Sequence, residues 1–327
     1  MQRRLGVLAG VVAAALLPPV TAAARENLDY TTAIPVWQAH EARLLSIGWR
    51  LARANAPLCQ SRQRAIGLML ADVRRYEDPE RARRAQSISR DVVIEAVAAG
   101  SPAQAAGMRA GAEVLAIGGQ PVGAIADPRA KRDEASDAVH DRIDSLLARQ
   151  GNVTLRIAPP DQPARDVTIA GEPVCRSRFA LLRAGSYAQT RGFTIEVAVQ
   201  LLAEAPSDDE AATMIAHELS HNILGHWQRN VAAGRTYVAI RRNEREADRM
   251  APWLMANAGF DPAAALRFFT SWGQRHGGGI TRSPTHDSWQ DRVAAIRAEL
   301  PALAAARQGQ GAQLADWRER FPGQAAD

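Results

Sequence analysis

The chain has 327 residues, 46% of them apolar, and a formal net charge of +5. That length and apolar content allow two ordinary domains with a sizeable core, and they exclude a disordered chain. Lys131 is the only lysine, so the positive charge is almost all arginine, scattered among Asp and Glu without a compact basic run; this argues against a nucleic-acid partner.

Arg3 and Arg4 precede an apolar run from Leu5 to Leu17, which Pro18 and Pro19 break before small residues at Ala22, Ala23 and Ala24. Charged, then apolar, then small is the order of a secretory signal peptide, expected over residues 1–24. The run is shorter than the roughly 20 residues a membrane-spanning helix needs. No cysteine follows it to carry a lipid, and no later stretch reads as a transmembrane segment. The mature chain is expected to be soluble and periplasmic or secreted, which also argues against nucleic acid.

Residues 36–58 show helical spacing, with Leu44, Leu45, Ile47, Gly48, Leu51 and Ala52 on one apolar side. This N-terminal segment, residues 25–62, is expected to pack on a domain further along the chain. Residues 64–72 read as a loop and strand, 92–97 as a strand, and 114–117 as a short strand before the Gly118-Gly119 turn. A helix is expected over 133–149, with Val139, Ile143, Leu146 and Leu147 on one side, and a strand over 152–157.

Within this region GSPAQAAGMRAGAEVLAIGGQPV, residues 100–122, resembles the central signature of PDZ domains, especially those on exported proteases of the HtrA kind. The resemblance spans about 63–172. It implies a groove in which a partner's C-terminal tail adds as a strand, its carboxylate on backbone N–H groups. The loop would run from Arg64 to Leu68 and include Ile66, Gly67 and Leu68. Val139 and Ile143 would stand on the helix wall. Cys59 and Cys175 flank this unit. In an oxidising compartment they are expected to pair and staple it where the chain enters and leaves.

Ser207 with Glu210 three residues on is a capping box, opening a helix expected to run through AATMIAHELSHNILGH. His217 and His221 stand four apart, so both rings leave one face. HExxH on a helix is a zinc-binding pattern: two imidazoles hold the ion, and the glutamate, Glu218, takes a proton from water. Zinc in catalysis needs a third protein ligand, and Glu244 in RRNEREADRM supplies a candidate, one helical turn before Asp248. Asp248 is placed to fix a ligand histidine's tautomer. His226 falls about 140° off the face of His221 on a continuous helix, which gives it a structural or second-site role.

HELSH followed by EREADRM resembles metallopeptidase family 48, the HtpX-like, BepA-like and CAAX-prenyl-protease-like zinc endopeptidases. The resemblance implies one Zn²⁺ per chain on His217, His221 and Glu244, with Asp248 behind them. It implies that His286 and Arg292, in THDSWQDR, help to stabilise the oxyanion or close the metal. It also implies that residues 186–202 form the strand before the metal helix, where extended substrate can pair. Asp287 stands where the family usually has proline, and Pro252 predicts a kink after Asp248.

The expected fold is α+β. A mostly helical zincin-like peptidase domain with a small sheet, residues 173–327, is interrupted by the PDZ-like β-rich domain, residues 63–172. The expected function is an exported zinc endopeptidase acting on unfolded or misassembled envelope proteins. Its expected partners are protein or peptide substrates, with C-terminal tails at the PDZ-like domain. The alternative is a periplasmic chaperone or assembly factor with a latent zinc site.

Overall fold

A computed structural model describes residues 29–126, 132–160, 162–276, 285–308 and 314–322. The expected signal peptide, residues 1–24, lies outside them.

The first helix, α1 (Tyr30–Asn55), begins where the Asp29 side chain accepts from the Thr31 N–H. Its buried row, Leu44, Leu45, Ile47, Leu51 and Ala52, enters the larger of the cores. Asn55 at its end is fully buried and would be costly there without partners. Its Nδ2 donates to the carbonyls of Leu51 (3.0 Å) and Leu254 (3.1 Å), and its Oδ1 accepts from Asn257 and Trp317. One amide thus ties the N-terminal helix to residues 254–257 and to the C-terminal segment.

The chain then passes through β1 (Arg62–Ala65), β2 (Leu68–Asp72), α2 (Pro79–Gln86), β3 (Val92–Val97), α3 (Pro102–Ala105), β4 (Glu113–Ile117) and β5 (Gln120–Pro121). The helix α4 (Arg132–Gln150) follows, then β6 (Asn152–Ala158), β7 (Arg165–Ala170) and β8 (Glu172–Cys175). A six-stranded antiparallel sheet has the order β2-β3-β4-β6-β7, with β5 on β4. It closes over its own core, in which Ile94, Ile117, Leu155 and Ile157 are almost fully buried. Residues 64 and 65, expected in a loop, are strand: β1 pairs antiparallel with β8, Arg62 opposite Cys175. Beside this ladder the Cys59–Cys175 disulfide forms, its Cα atoms 5.6 Å apart.

An ion-pair cluster joins α1 to this unit. Arg75 donates to Glu95 on β3 (2.7 Å) and lies 3.4 Å from Glu41 on α1. Burial, with the Glu95 charge beside it, pushes Glu41 up to about 8.

Beyond β8 come β9 (Arg178–Leu182), β10 (Ala188–Arg191), β11 (Thr194–Ala198) and α5 (Val199–Glu204). Residues 186–202, read from sequence as one strand, are a hairpin arm, a second strand and a short helix. The sheet order is β10-β11-β9, antiparallel then parallel, so β10 and β9 are its edges. The helices are α6 (Asp208–Ile223), α7 (His226–Ala232), α8 (Tyr237–Asn257), α9 (Ala264–His276) and α10 (Trp289–Gln308). The α8 helix continues through Pro252. No helix among the described residues is long and apolar enough to cross a membrane.

Candidate metal centre and peptide groove

Ser207 caps α6, its Oγ accepting from the Glu210 N–H at 3.2 Å, and three acids fill the first turn. Both features favour a helix start. One face of α6 is packed by Met214, Ile215 and Leu219. His217 and His221, four residues apart, bring their Nε2 atoms to 3.2 Å. Glu244 on α8 completes a triangle, its Oε2 3.2 Å from His217 Nε2 and its Oε1 3.6 Å from His221 Nε2. Zinc bonds of 2.0–2.1 Å in a tetrahedron put ligand atoms about 3.3 Å apart. These three groups, whose atoms all lie within 4.8 Å of one another, therefore fit a tetrahedral ion with one corner left over.

The charges also fit a cation. Asp248 Oδ1 lies 2.9 Å from His217 Nδ1. Burial opposes charge on His217, yet Asp248 and Glu244 outweigh it and raise the ring to about 10. Burial likewise opposes ionised Glu244, but the His221 charge and hydrogen bonds from the histidines hold it well below the usual carboxylate range. Two anions facing two rings in a buried pocket call for positive charge at the shared point.

Arg292 on α10 grips Asp248 with two nitrogens, Nε at 2.7 Å and Nη2 at 2.6 Å, and stacks over Phe269. Burial works against the Asp248 anion, and Arg292 more than compensates, holding it below the ordinary aspartate value. Arg292 thus serves first to position the Asp248–His217 pair.

The helix carrying HExxH stops at Ile223, not at His226 as its pattern suggested. Gly225, at φ 63°, turns the chain left-handed, as glycine does most readily. The break brings His226 back over His221, their Nδ1 atoms 2.8 Å apart. A neutral His221 that turned its Nε2 lone pair to the metal point would carry its proton on Nδ1 and donate it to His226. His226 Nε2 in turn lies 3.4 Å from Glu246, which also pairs with Arg229 at 2.8 Å. Burial pushes His226 down to about 4, consistent with a neutral ring. The helical-wheel angle missed this contact; the glycine just before His226 was the signal for it.

Glu218 is buried beside the triangle. The Thr190 hydroxyl, from edge strand β10, lies 2.9 Å from Glu218 Oε2 and 3.0 Å from its carbonyl oxygen. No sequence pattern pointed to Thr190. His286 Nε2 reaches Glu244 Oε2 at 3.0 Å but stands outside the three-ligand cluster. Asp287, in place of the family's proline, pairs with Arg245 and with Arg241 of α8 and so fastens the His286 loop. Glu218, His217 and His286 open into a cleft of about 540 Å³, whose apolar wall includes Tyr187, Leu201, Phe268, Phe269 and Trp272.

A second cavity of about 540 Å³ lies between the PDZ-like unit and the edge strand β9. It is lined by Ile66, Gly67 and Leu68, by Phe179 and Leu181 of β9, and by Ser136, His140, Ile143 and Leu147 of α4. Val139, expected on the groove wall, is buried in the PDZ-like core instead; the row one residue later along α4 faces the groove. The groove is bridged. His140 Nε2 accepts from the Leu70 N–H at 3.1 Å, and Ser136 Oγ donates to the Leu70 carbonyl at 3.2 Å.

The three ligating groups with Glu218 beside them form an HExxH-type candidate metal site, next to a unit with its own groove. Residues 183–240 match the model of Peptidase family M48, and residues 93–131 that of the PDZ domain. The chain thus carries an M48 peptidase domain and a PDZ domain in an α+β fold. The peptidase match covers HExxH and ends before Glu244. A comparison with curated proteins found no match.

Proposed function

We propose that the chain is an exported zinc-dependent endopeptidase that hydrolyses peptide bonds of unfolded or misassembled envelope proteins. The observation carrying this reading is the triangle of His217, His221 and Glu244 with Glu218 beside it. One Zn²⁺, held by these three residues, supplies polarisation of the scissile carbonyl and acidification of water. Glu218 accepts the proton of the attacking water and passes it to the leaving nitrogen. Thr190 holds the Oε2 of Glu218 so that one oxygen faces the reaction. Asp248, gripped by Arg292, takes the Nδ1 side of His217, and His226 takes that of His221, so that both Nε2 atoms are turned to the metal point. An extended substrate pairs with β10, whose outer edge adjoins the cleft, and an apolar side chain sits against Phe268 and Trp272. His286, swung from Glu244, and the free nitrogen of Arg292 stabilise the oxyanion. The PDZ domain recruits C-terminal tails or gates the site, and the compartment is periplasmic or extracellular, reached by signal residues 1–24.

The test is cleavage of an unfolded protein by the zinc-loaded mature chain beside Glu218→Gln. Cleavage by the parent alone, with one zinc in each, supports the assignment; equal cleavage by both refutes it. The contact of His286 with Glu244 supports a second reading, an envelope chaperone or assembly factor with a latent zinc site. Aggregation suppression by both proteins with cleavage by neither would select it.

A further inference from the structure

Six large apolar side chains among the described residues are exposed, and four of them fall within twelve positions: Trp227, Val231, Tyr237 and Val238, at 50%, 52%, 64% and 82%. Residues 231–238 are exposed without interruption. None of the four lines the catalytic cleft. Scattered single exposures need no explanation, but a contiguous cluster marks an interaction surface.

The charge of the stretch says what it meets. Between Glu218 and Glu244 the sequence has no acid and four arginines, at 229, 235, 241 and 242. Arg229 pairs with Glu246 and Arg241 with Asp287, whereas Arg235 and Arg242 are exposed. Trp227 and Val231 share a face of α7, being four apart. Tyr237 and Val238 occupy the first turn of α8, just after its cap Thr236. Arg242 lies four residues beyond Val238 on the same face, about 6 Å back along the axis. Arg235 lies over the Trp227 ring, 4.9 Å from its centroid. Apolar and interfacial aromatic groups therefore flank the turn, with Arg235 inside it over Trp227 and Arg242 about one helical turn behind Val238. That spacing matches the 5–10 Å depth to which surface-bound helices bury their apolar side below anionic headgroups.

We propose that the turn joining α7 and α8 is a membrane-docking tip. It inserts Trp227, Val231, Tyr237 and Val238 at the acyl–headgroup boundary of an anionic bilayer and sets Arg235 and Arg242 at the phosphates. Because the tip links the HExxH helix to the helix carrying Glu244, docking holds the peptidase half at the bilayer surface.

The test is sedimentation of the full mature chain with vesicles of phosphatidylethanolamine and phosphatidylglycerol, and with phosphatidylcholine alone. The expected result is binding to the anionic vesicles, reduced by salt. Binding should weaken about tenfold or more in W227S/V231S/Y237S/V238S, and to a similar extent in R235Q/R242Q. Unchanged circular dichroism and melting show that both variants fold. Failure to bind anionic vesicles, or equal binding by parent and variants, overturns the proposal. So does a parent dimer that the apolar variant converts to monomer, which would make the tip an interface between copies.

Discussion

In the metal centre His221 keeps Nε2 toward a point shared with His217 and Glu244, while in the PDZ groove His140 turns Nε2 onto the Leu70 N–H. Both rings turn Nδ1 onto a neighbour: the Ser136 carbonyl accepts from His140 Nδ1 at 2.8 Å, and His226 Nδ1 lies 2.8 Å from His221 Nδ1. The chemistry is the same, and what the bare nitrogen meets differs. At the metal centre two imidazole Nε2 atoms and a carboxylate converge on one point at the spacing of tetrahedral ligands, so a cation is the natural occupant. In the groove a backbone donor has already taken the lone pair, so a tail recruited there, as proposed above, would have to displace the side chain before pairing with β2. One site is preorganised for its ligand and the other is latched.

The largest break in this contrast comes from Glu218→Gln, which leaves the metal triangle intact and removes the proton acceptor. Turnover of an unfolded protein should fall about 10²- to 10⁴-fold with zinc content unchanged by metal analysis. Cys59→Ser with Cys175→Ser removes the staple beside the β1–β8 ladder and should cost about 2–5 kcal/mol in denaturant unfolding. Asp248→Asn removes the charge that holds the His217 ring and leaves Arg292 without its anion. Zinc affinity, read by chelator competition, should fall about 10- to 100-fold. A loss of less than threefold would mean that the pair does not orient the ligand.

The smallest effect is at the latch. His140→Ala removes one neutral hydrogen bond, worth about 1 kcal/mol, so amide exchange at Leu70 should quicken about fivefold. The latch is also pH-sensitive, because burial holds His140 below the ordinary histidine value. The Ser136 carbonyl opposes that effect, Arg178 of β9 adds to it, and Asp144 and Asp137 of α4 oppose it. The closed ring takes a proton less readily than the open one. Its contribution is therefore complete above about pH 6.5 and is lost as pH falls toward the depressed value. Leu70 protection, corrected for intrinsic exchange, should drop between pH 7.5 and 5 in the parent and not in His140→Ala.

Sequence alone determined the features that depend on neighbours along the chain. The pairing of His217 with His221, the Ser207 cap and the turn from Glu244 to Asp248 follow from helical periodicity. So does α4, whose expected apolar side of Val139, Ile143, Leu146 and Leu147 is buried in the PDZ-like core; periodicity did not show that the neighbouring row with Ser136 and His140, and not Val139, lines the groove. The signature over 100–122 marked the PDZ unit because its glycine-punctuated turns are local. Tertiary structure alone decided how these pieces meet. It set Thr190 on Glu218, Arg292 on Asp248, His226 on His221 and Ser136 with His140 on Leu70. These partners stand on different elements, or across a helix break, and no periodicity relates them. Side chains distant in sequence meet only once the elements have packed, and packing is fixed by the sum of many weak contacts that no single stretch of sequence contains.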